Sequence, residues 1–262
     1  MSAIENVSGS DYINANFVHG PGHETKRFIC AQGPLSNTVG DFWRMVSEQR
    51  AGIVVMLTGF EEQGRTKCVQ YWDDEKSTQP TENLYLTPMS KKEYSDYTIR
   101  SFILRNTITA ESRDVLHFHF VAWRDFLAPE QPSWLLRFIK RVNEHHCPDR
   151  GPIVVHCSAG VGRTGTFIAI DSLIGQIDAG VEQINVFETV LLLRRQRSLL
   201  VQSLKQYVFV YRAIMEYIEL GDTEIEALHI ADTYKELKEA NHGNGLLVEF
   251  EVNIIIYYSS MS

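Results

Sequence analysis

The sequence has no excess of positive charge, no paired cysteines, no long apolar run and no internal repeat. Asp and Glu number 33 against 25 Lys and Arg, giving a net charge of −8. An acidic chain is a poor general binder of nucleic acid, so no such partner is expected. A small positive pocket for one anionic group stays compatible with that balance. The four cysteines, Cys30, Cys68, Cys147 and Cys157, are scattered, with neither a C-x-x-C pair nor zinc-like spacing. A disulfide framework is not expected in a chain of 262 residues, which points to a reducing, cytoplasmic compartment. The opening MSAIENVSGS has no basic region followed by an apolar run and does not read as a signal peptide. No stretch approaches the ~20 apolar residues of a membrane span.

What is present is a core-forming composition, with 44% hydrophobic residues, the mark of a globular chain. In DFWRMVSEQR (41–50), Phe42, Met45 and Val46 recur at helical spacing. IVVMLT (53–58) and PIVVHC (152–157) are short apolar runs of the kind that form fully buried strands. KCVQYW (67–72), YTIRSFILR (97–105) and VLHFHFVAW (115–123) are β-branched and aromatic with partial alternation, and read as strands. PSWLLRFIKRVNEHH (132–146) opens on proline and predicts a helix. Further helices are expected from Arg163 to about Ile177, near 186–197 and over 203–219, with Gly221 after the last. Strands alternating with helices imply an α/β domain built on a twisted, mixed β-sheet flanked by helices. Beyond residue 221, TYKELKEANHG is polar and helix-like, whereas LLVEFEVNIIIYYSS is apolar and strand-like, with nothing after it to pair with. Residues 221–262 are expected to form a poorly ordered tail.

The chemistry concentrates in Ile153–Asp171, IVVHCSAGVGRTGTFIAID, which reads strand, glycine-rich loop, helix. Backbone N–H groups of Ser158, Ala159, Gly160, Val161, Gly162 and Arg163 can turn inward as a nest in front of a helix N-terminus, and both favour an oxyanion such as phosphate. Arg163 offers a planar fork for two phosphate oxygens. The same positive field favours the thiolate of Cys157. A thiolate beside a bound phosphoryl group is a nucleophile aimed at phosphorus. Cys-x5-Arg alone recurs by chance in chains of this size, but the whole string HCSAGVGRTG between a strand and a helix does not. The competing reading is a buried structural cysteine followed by an ordinary turn.

That string resembles the signature of the tyrosine-specific protein phosphatases. DYINANF (11–17), AQGPLSNTVGDFWRMV (31–46), TKCVQYW (66–72), YTIR (97–100) and LVQSLKQYVFVY (200–211) are similar to further segments of that family, in family order, so the resemblance covers about residues 10–220. It implies a cysteine-based phosphatase fold, with a leader over 1–10, a catalytic domain over 11–220 and the tail after it. It also implies a two-step hydrolysis of phosphotyrosine in proteins. Cys157 would attack and form a phosphocysteine. Asp125 in AWRDF matches the mobile-loop aspartate that protonates the leaving phenol and then serves as base for water. Gln202, supported by Gln206, matches the glutamines that position that water. Arg163 would hold equatorial oxygens, Thr164 would offer its hydroxyl to the sulfur, His156 would tune the thiolate, and Glu62 would orient the arginine. No metal or other cofactor is implied, because arginine and backbone dipoles carry the charge stabilisation. Read without the resemblance, Asp125 is a turn aspartate, Gln202 and Gln206 are helix-start polar residues, Glu62 is a solvated loop charge and His156 a hydrogen-bonded core histidine.

The sequence departs from the family pattern in three places. The family carries a Lys-Asn-Arg-Tyr segment upstream of DYINA, whose tyrosine stacks on the substrate ring; the ten residues before Asp11 contain none, so an N-terminally truncated domain is expected. The mobile loop reads WRDFLAP instead of Trp-Pro-Asp-Phe-Gly-Val-Pro, with Arg124 for proline and Leu127 for glycine. That substitution pattern predicts slower loop closure and a slower acid step. The tail after about residue 230 matches nothing in the family, while GDTEIE (221–226) looks like the region following the membrane-proximal domain of receptor-type members. A receptor parent would carry a membrane span that this chain does not contain. The rival functions are a catalytically impaired module that binds phosphotyrosine or a partner domain, and a dual-specificity phosphatase or sulfur transferase using the same loop. DYINA and Gln202–Gln206 argue against the last pair.

Overall fold

Ile53–Met56 and Ile153–His156 are entirely buried four-residue runs, and they pair with each other in parallel at the centre of the molecule. The computed structural model describes residues 1–5, 7–22, 26–123, 128–129, 131–221, 228–243 and 245–247. Along the chain run β1 (Ala15–Val18), β2 (Phe28–Ala31), α1 (Val39–Glu48), β3 (Ile53–Met56), β4 (Glu61–Glu62), β5 (Arg65–Thr66), β6 (Thr78–Thr81), β7 (Leu84–Glu93), β8 (Tyr97–Asn106) and β9 (Ser112–Phe120). They are followed by α2 (Pro132–Glu144), β10 (Ile153–His156), α3 (Gly162–Asp178), α4 (Val186–Gln196), α5 (Leu204–Leu220) and α6 (Ile230–Gly243). Eight strands form one mixed sheet in the order β1-β2-β10-β3-β9-β8-β7-β6, and β4 and β5 form a separate hairpin. Its middle, β2-β10-β3-β9, is parallel, and both flanks are antiparallel. The expected α/β class with a mixed, helix-flanked sheet is therefore what the chain adopts.

The period-two alternation of a strand sends neighbouring residues to opposite faces. Ile53, Val55, Ile153 and Val155 meet Leu135 and Phe138 of α2, Phe167 and Leu173 of α3, and Phe209 of α5. Val54, Met56 and Val154 meet Phe42, Trp43 and Val46 of α1, with Tyr71 and Trp72. Because both faces are covered, the central strands are apolar throughout. Truncating a fully buried ring such as Phe138 to alanine would cost about 3–5 kcal/mol. Pro132 sits in the first turn of α2, Asn185 caps α4 by accepting from Glu188 N–H, and Ser203 and Gln206 form a reciprocal capping box at α5. Gly221 closes α5 with φ 61°.

Two expectations need correction. Residues 67–72 form no strand. Their backbone is held by loops instead, with Lys67 N–H donating to Phe60 O and Val69 N–H to Pro34 O, while Cys68, Tyr71 and Trp72 fill the core. Propensity reported burial there, not ladder pairing. Leu246 and Leu247, read as the start of an apolar strand, are helical; the rest of that run lies outside the described residues. The polar helix expected before it is α6. The segment before Asp11 lies along α1, where Ser2 N–H donates to Glu48 Oε2 at 2.7 Å and Arg44 donates to Ser10 O.

Candidate active site

β10 ends at His156, and α3 starts at Gly162, so residues 157–161 turn from strand into helix in five positions. Every carbonyl of that turn is engaged from outside it. Cys157 O faces His156 Nδ1 at 3.1 Å, and Ser158 O accepts from Gly33 N–H at 2.9 Å. Ala159 O and Gly160 O accept from the Arg197 guanidinium at 3.1 and 2.8 Å. Val161 O accepts from Gly165 and Val201 N–H at 3.0 and 3.2 Å. In a trans peptide the next N–H points the opposite way. With the carbonyls pinned outward, the N–H groups of Ser158 to Gly162 turn to the other side, toward a cavity. Gly160 makes this possible: its φ is 72°, and a Cβ there would lie 2.2 Å from Ala31 O.

The cavity holds about 130 Å³ and is lined by Lys67, Cys157, Ser158, Ala159, Gly162, Arg163, Gln202 and Gln206. A much larger one, about 560 Å³, lies between α2, α3 and α5. It contains none of the residues of the cysteine loop, which line the smaller space instead. Cys157 is 5% exposed and lines this cavity.

Arg163, 4% exposed, donates from Nη1 to Glu62 Oε1 at 2.7 Å and from Nη2 to Glu62 Oε2 at 2.6 Å, with a further bond to Leu57 O at 2.9 Å. This is the two-pronged carboxylate grip that fixes a guanidinium in plane. Glu62 is itself held: Oε1 also accepts from Gly59 N–H at 3.1 Å and Thr58 Oγ1 at 3.2 Å. It sits on the β4–β5 hairpin, whose two turn residues, Gln63 and Gly64, both have positive φ, as a tight hairpin turn requires.

Gln202 and Gln206 reach the cavity from the start of α5. Gln206 Oε1 accepts from Gln202 N–H at 3.0 Å and Ser203 N–H at 3.3 Å, which fixes the amide plane facing Gly162. The approach of this segment depends on Gly165, because a Cβ there would lie 2.4 Å from Val201 N. His156 is fully buried, and loss of hydration pushes its imidazole down to about 4; it is neutral at physiological pH. Burial pushes the Cys68 thiol up to about 12 and the Cys30 thiol higher still, so neither is a nucleophile. The bond expected from Thr164 to the sulfur is not formed: Thr164 Oγ1 is buried with no hydrogen-bond partner among the described residues. Asp125, Arg124 and Leu127 lie outside the described residues.

The structure thus brings together Cys157, Arg163, Glu62, His156, Gln202 and Gln206. Sequence reasoning passed over Gly33, Lys67 and Arg197. Arg197 also donates to Asn14 Oδ1 and Asn16 Oδ1 at 2.9 and 2.6 Å, tying the turn to the DYINANF segment. The one signal for it was that this segment resembles a family segment, without a chemistry of its own.

Among the described residues no helix is long and apolar enough to cross a membrane, and no cluster of three His, Cys, Asp or Glu is arranged to hold a metal ion. A family model described as protein-tyrosine phosphatase matches residues 3–216. Tyrosine-protein phosphatase 69D of Drosophila melanogaster is 42% identical over 259 residues, which cover 96% of this chain and 18% of that protein. Receptor-type tyrosine-protein phosphatase S of Gallus gallus is 41% identical over 251 residues, covering 95% and 16%. Receptor-type tyrosine-protein phosphatase F of Homo sapiens is 39% identical over 256 residues, covering 97% and 13%. The chain spans less than a fifth of the length of these relatives.

Proposed function

The chain belongs to the protein-tyrosine phosphatase family, and we propose that it hydrolyses phosphotyrosine in proteins through a phosphocysteine on Cys157. The observation that carries this is the cavity that Cys157 shares with Ser158, Ala159, Gly162 and an arginine clamped by Glu62. The Cys157 sulfur forms a bond to phosphorus as the aryl ester P–O bond breaks. Arg163 and the turn's N–H groups hold the phosphoryl oxygens, and they gain most where charge accumulates in the transition state. The departing phenolate takes a proton from Asp125, a role that rests on the match of AWRDF to the family's mobile loop. Water placed by Gln202 and Gln206 then attacks phosphorus, the S–P bond breaks, Asp125 takes the water's proton, and phosphate leaves. No metal step is needed in this scheme.

By analogy with the receptor-type relatives, the domain works on the cytoplasmic side of a membrane as part of a longer protein. A second reading is a catalytically impaired module that retains phosphotyrosine in the same cavity; Arg124 and Leu127 in the mobile loop favour it. Hydrolysis of a small aryl phosphate, measured beside Cys157→Ser and Asp125→Ala, separates the two. Turnover abolished in the first variant and strongly reduced in the second supports the enzyme. Folded wild-type protein that retains a phosphotyrosine peptide without turning it over supports the module.

A further inference from the structure

α5 is apolar on two sides. Phe209, Val210, Ala213 and Ile214 pack into the core. Leu204, Val208, Tyr211, Met215 and Ile218 do not; each is between 47% and 77% exposed, and no described element covers them. Their spacing of four, three, four and three residues keeps all five on one stripe along the helix. It is the spacing of a two-helix seam, with Val208 and Met215 at a positions and Leu204, Tyr211 and Ile218 at d positions. A surface helix ordinarily carries polar residues opposite its core face. A second apolar stripe in their place marks an interaction surface.

The surface beside the stripe is hollow. A groove of about 400 Å³ runs between α5 and the start of α4, lined by Ile184, Val186, Tyr211, Ile214, Met215 and Ile218 among others. The stripe therefore offers both protruding side chains and a space to receive them.

The charges along its edges select the occupant. Lys205, Arg212 and Glu219 each follow a d residue and occupy the e edge, whereas the g edge carries Tyr207 and Ile214, which are uncharged. Two parallel copies of α5 would set e against g and gain no ion pair. Two antiparallel copies set e against e. With Tyr211 opposite the partner's Met215 and Val208 opposite the partner's Ile218, Lys205 lies opposite the partner's Glu219, and Glu219 opposite the partner's Lys205. Only Arg212 then meets its own charge, at the twofold axis. The neighbouring register, with Tyr211 opposite the partner's Val208, sets Lys205 against the partner's Arg212 twice over and forms no ion pair. Edge charges set orientation and register more than affinity, and here they favour one arrangement.

We propose that this stripe is a self-association surface: α5 pairs antiparallel with α5 of a second copy of the chain. The apolar layers hold the two copies, the Tyr211 ring enters the partner's groove beside Met215, and two Lys205–Glu219 pairs fix the register. The interface is isologous, so every side chain in it acts twice. It stands apart from Cys157 chemistry and does not depend on turnover.

Sedimentation velocity of the whole chain across micromolar concentrations tests this, with thermal unfolding as the check on fold. The wild-type protein should pass reversibly from the mass of one chain to that of two. Met215→Glu should weaken dimerisation about tenfold or more, because the charge enters the seam from both copies. Tyr211→Lys, also at an exposed position, should do the same and serves if Met215→Glu does not fold. Lys205→Glu should weaken it about fivefold, and Lys205→Glu combined with Glu219→Lys should restore it. A wild-type monomer at every concentration overturns the proposal; the stripe is then covered by the chain's own residues after Gly221 or by another protein. Association that survives both seam variants overturns it as well, and so does a Lys205→Glu defect that Glu219→Lys leaves unrepaired.

Discussion

Glu62→Gln is the most informative single change at the site. The carboxylate gives Arg163 two acceptors at 2.7 and 2.6 Å while receiving Thr58 and Gly59. Glutamine is isosteric but retains one acceptor, and it sets an NH2 against one arm of the guanidinium. A hydrogen bond to a charged group contributes about 1.5–3 kcal/mol and a neutral one about 0.5–1.5. Losing one charge-assisted bond and weakening the other removes about 2–4 kcal/mol of arginine positioning. If Arg163 serves mainly the transition state, that amount appears in kcat/KM as a fall of about 30- to 1,000-fold. Aryl phosphate kinetics would measure it, with inhibition by inorganic phosphate as the check on ground-state binding and thermal unfolding as the check on fold. A well-folded Glu62→Gln protein within about threefold of wild type would refute the claim that the bidentate grip organises the arginine.

The other predictions concern the scaffold and the thiol. Glu216 is buried at 5% exposure, and burial raises its carboxyl to about 7 from 4.5. The folded state therefore holds a proton that the unfolded state has released, and stability should fall as pH rises from about 4.5 to about 7. Glu216→Gln should raise the unfolding midpoint at pH 8 and leave it nearly unchanged at pH 4; equal shifts at both would contradict the linkage. Gly165→Ala should push the Leu200–Val201 backbone away, lowering stability by about 1–3 kcal/mol and reducing turnover by displacing Gln202. An alanine variant with unchanged midpoint and kinetics would show that the close approach is not needed. Mild peroxide should inactivate the protein reversibly at Cys157, through a sulfenic acid or a ring closed on the Ser158 nitrogen, ahead of buried Cys30 and Cys68. Mass spectrometry after blocking exposed Cys147 would locate it, and failure of a thiol reductant to restore activity would contradict reversibility.

How much of this was readable beforehand varied by element. The central strands and helices announced themselves, because a buried four-residue run and an amphipathic period are properties of consecutive residues. Residues 67–72 misled because aromatic and β-branched side chains signal burial without saying whether the backbone finds a ladder. β6 and β7 drew no notice, since Pro80, Pro88 and the lysines Lys91 and Lys92 mask a flanking hairpin whose pairing with β8 supplies the order.

At the site, the sequence alone picked out the proposed nucleophile, the arginine and the glycines of the turn, because they sit in one contiguous string in which each residue's proposed role follows from its neighbours. Only the tertiary structure decided what aims them. Glu62 reaches Arg163 across 101 positions, Arg197 reaches Asn16 across 181, and Tyr71 joins His156 across 85. Hydrogen-bond partners so far apart leave no local period or composition to read. They become neighbours only when β3, β10 and α3 pack in register and bring their loops to one end of the sheet.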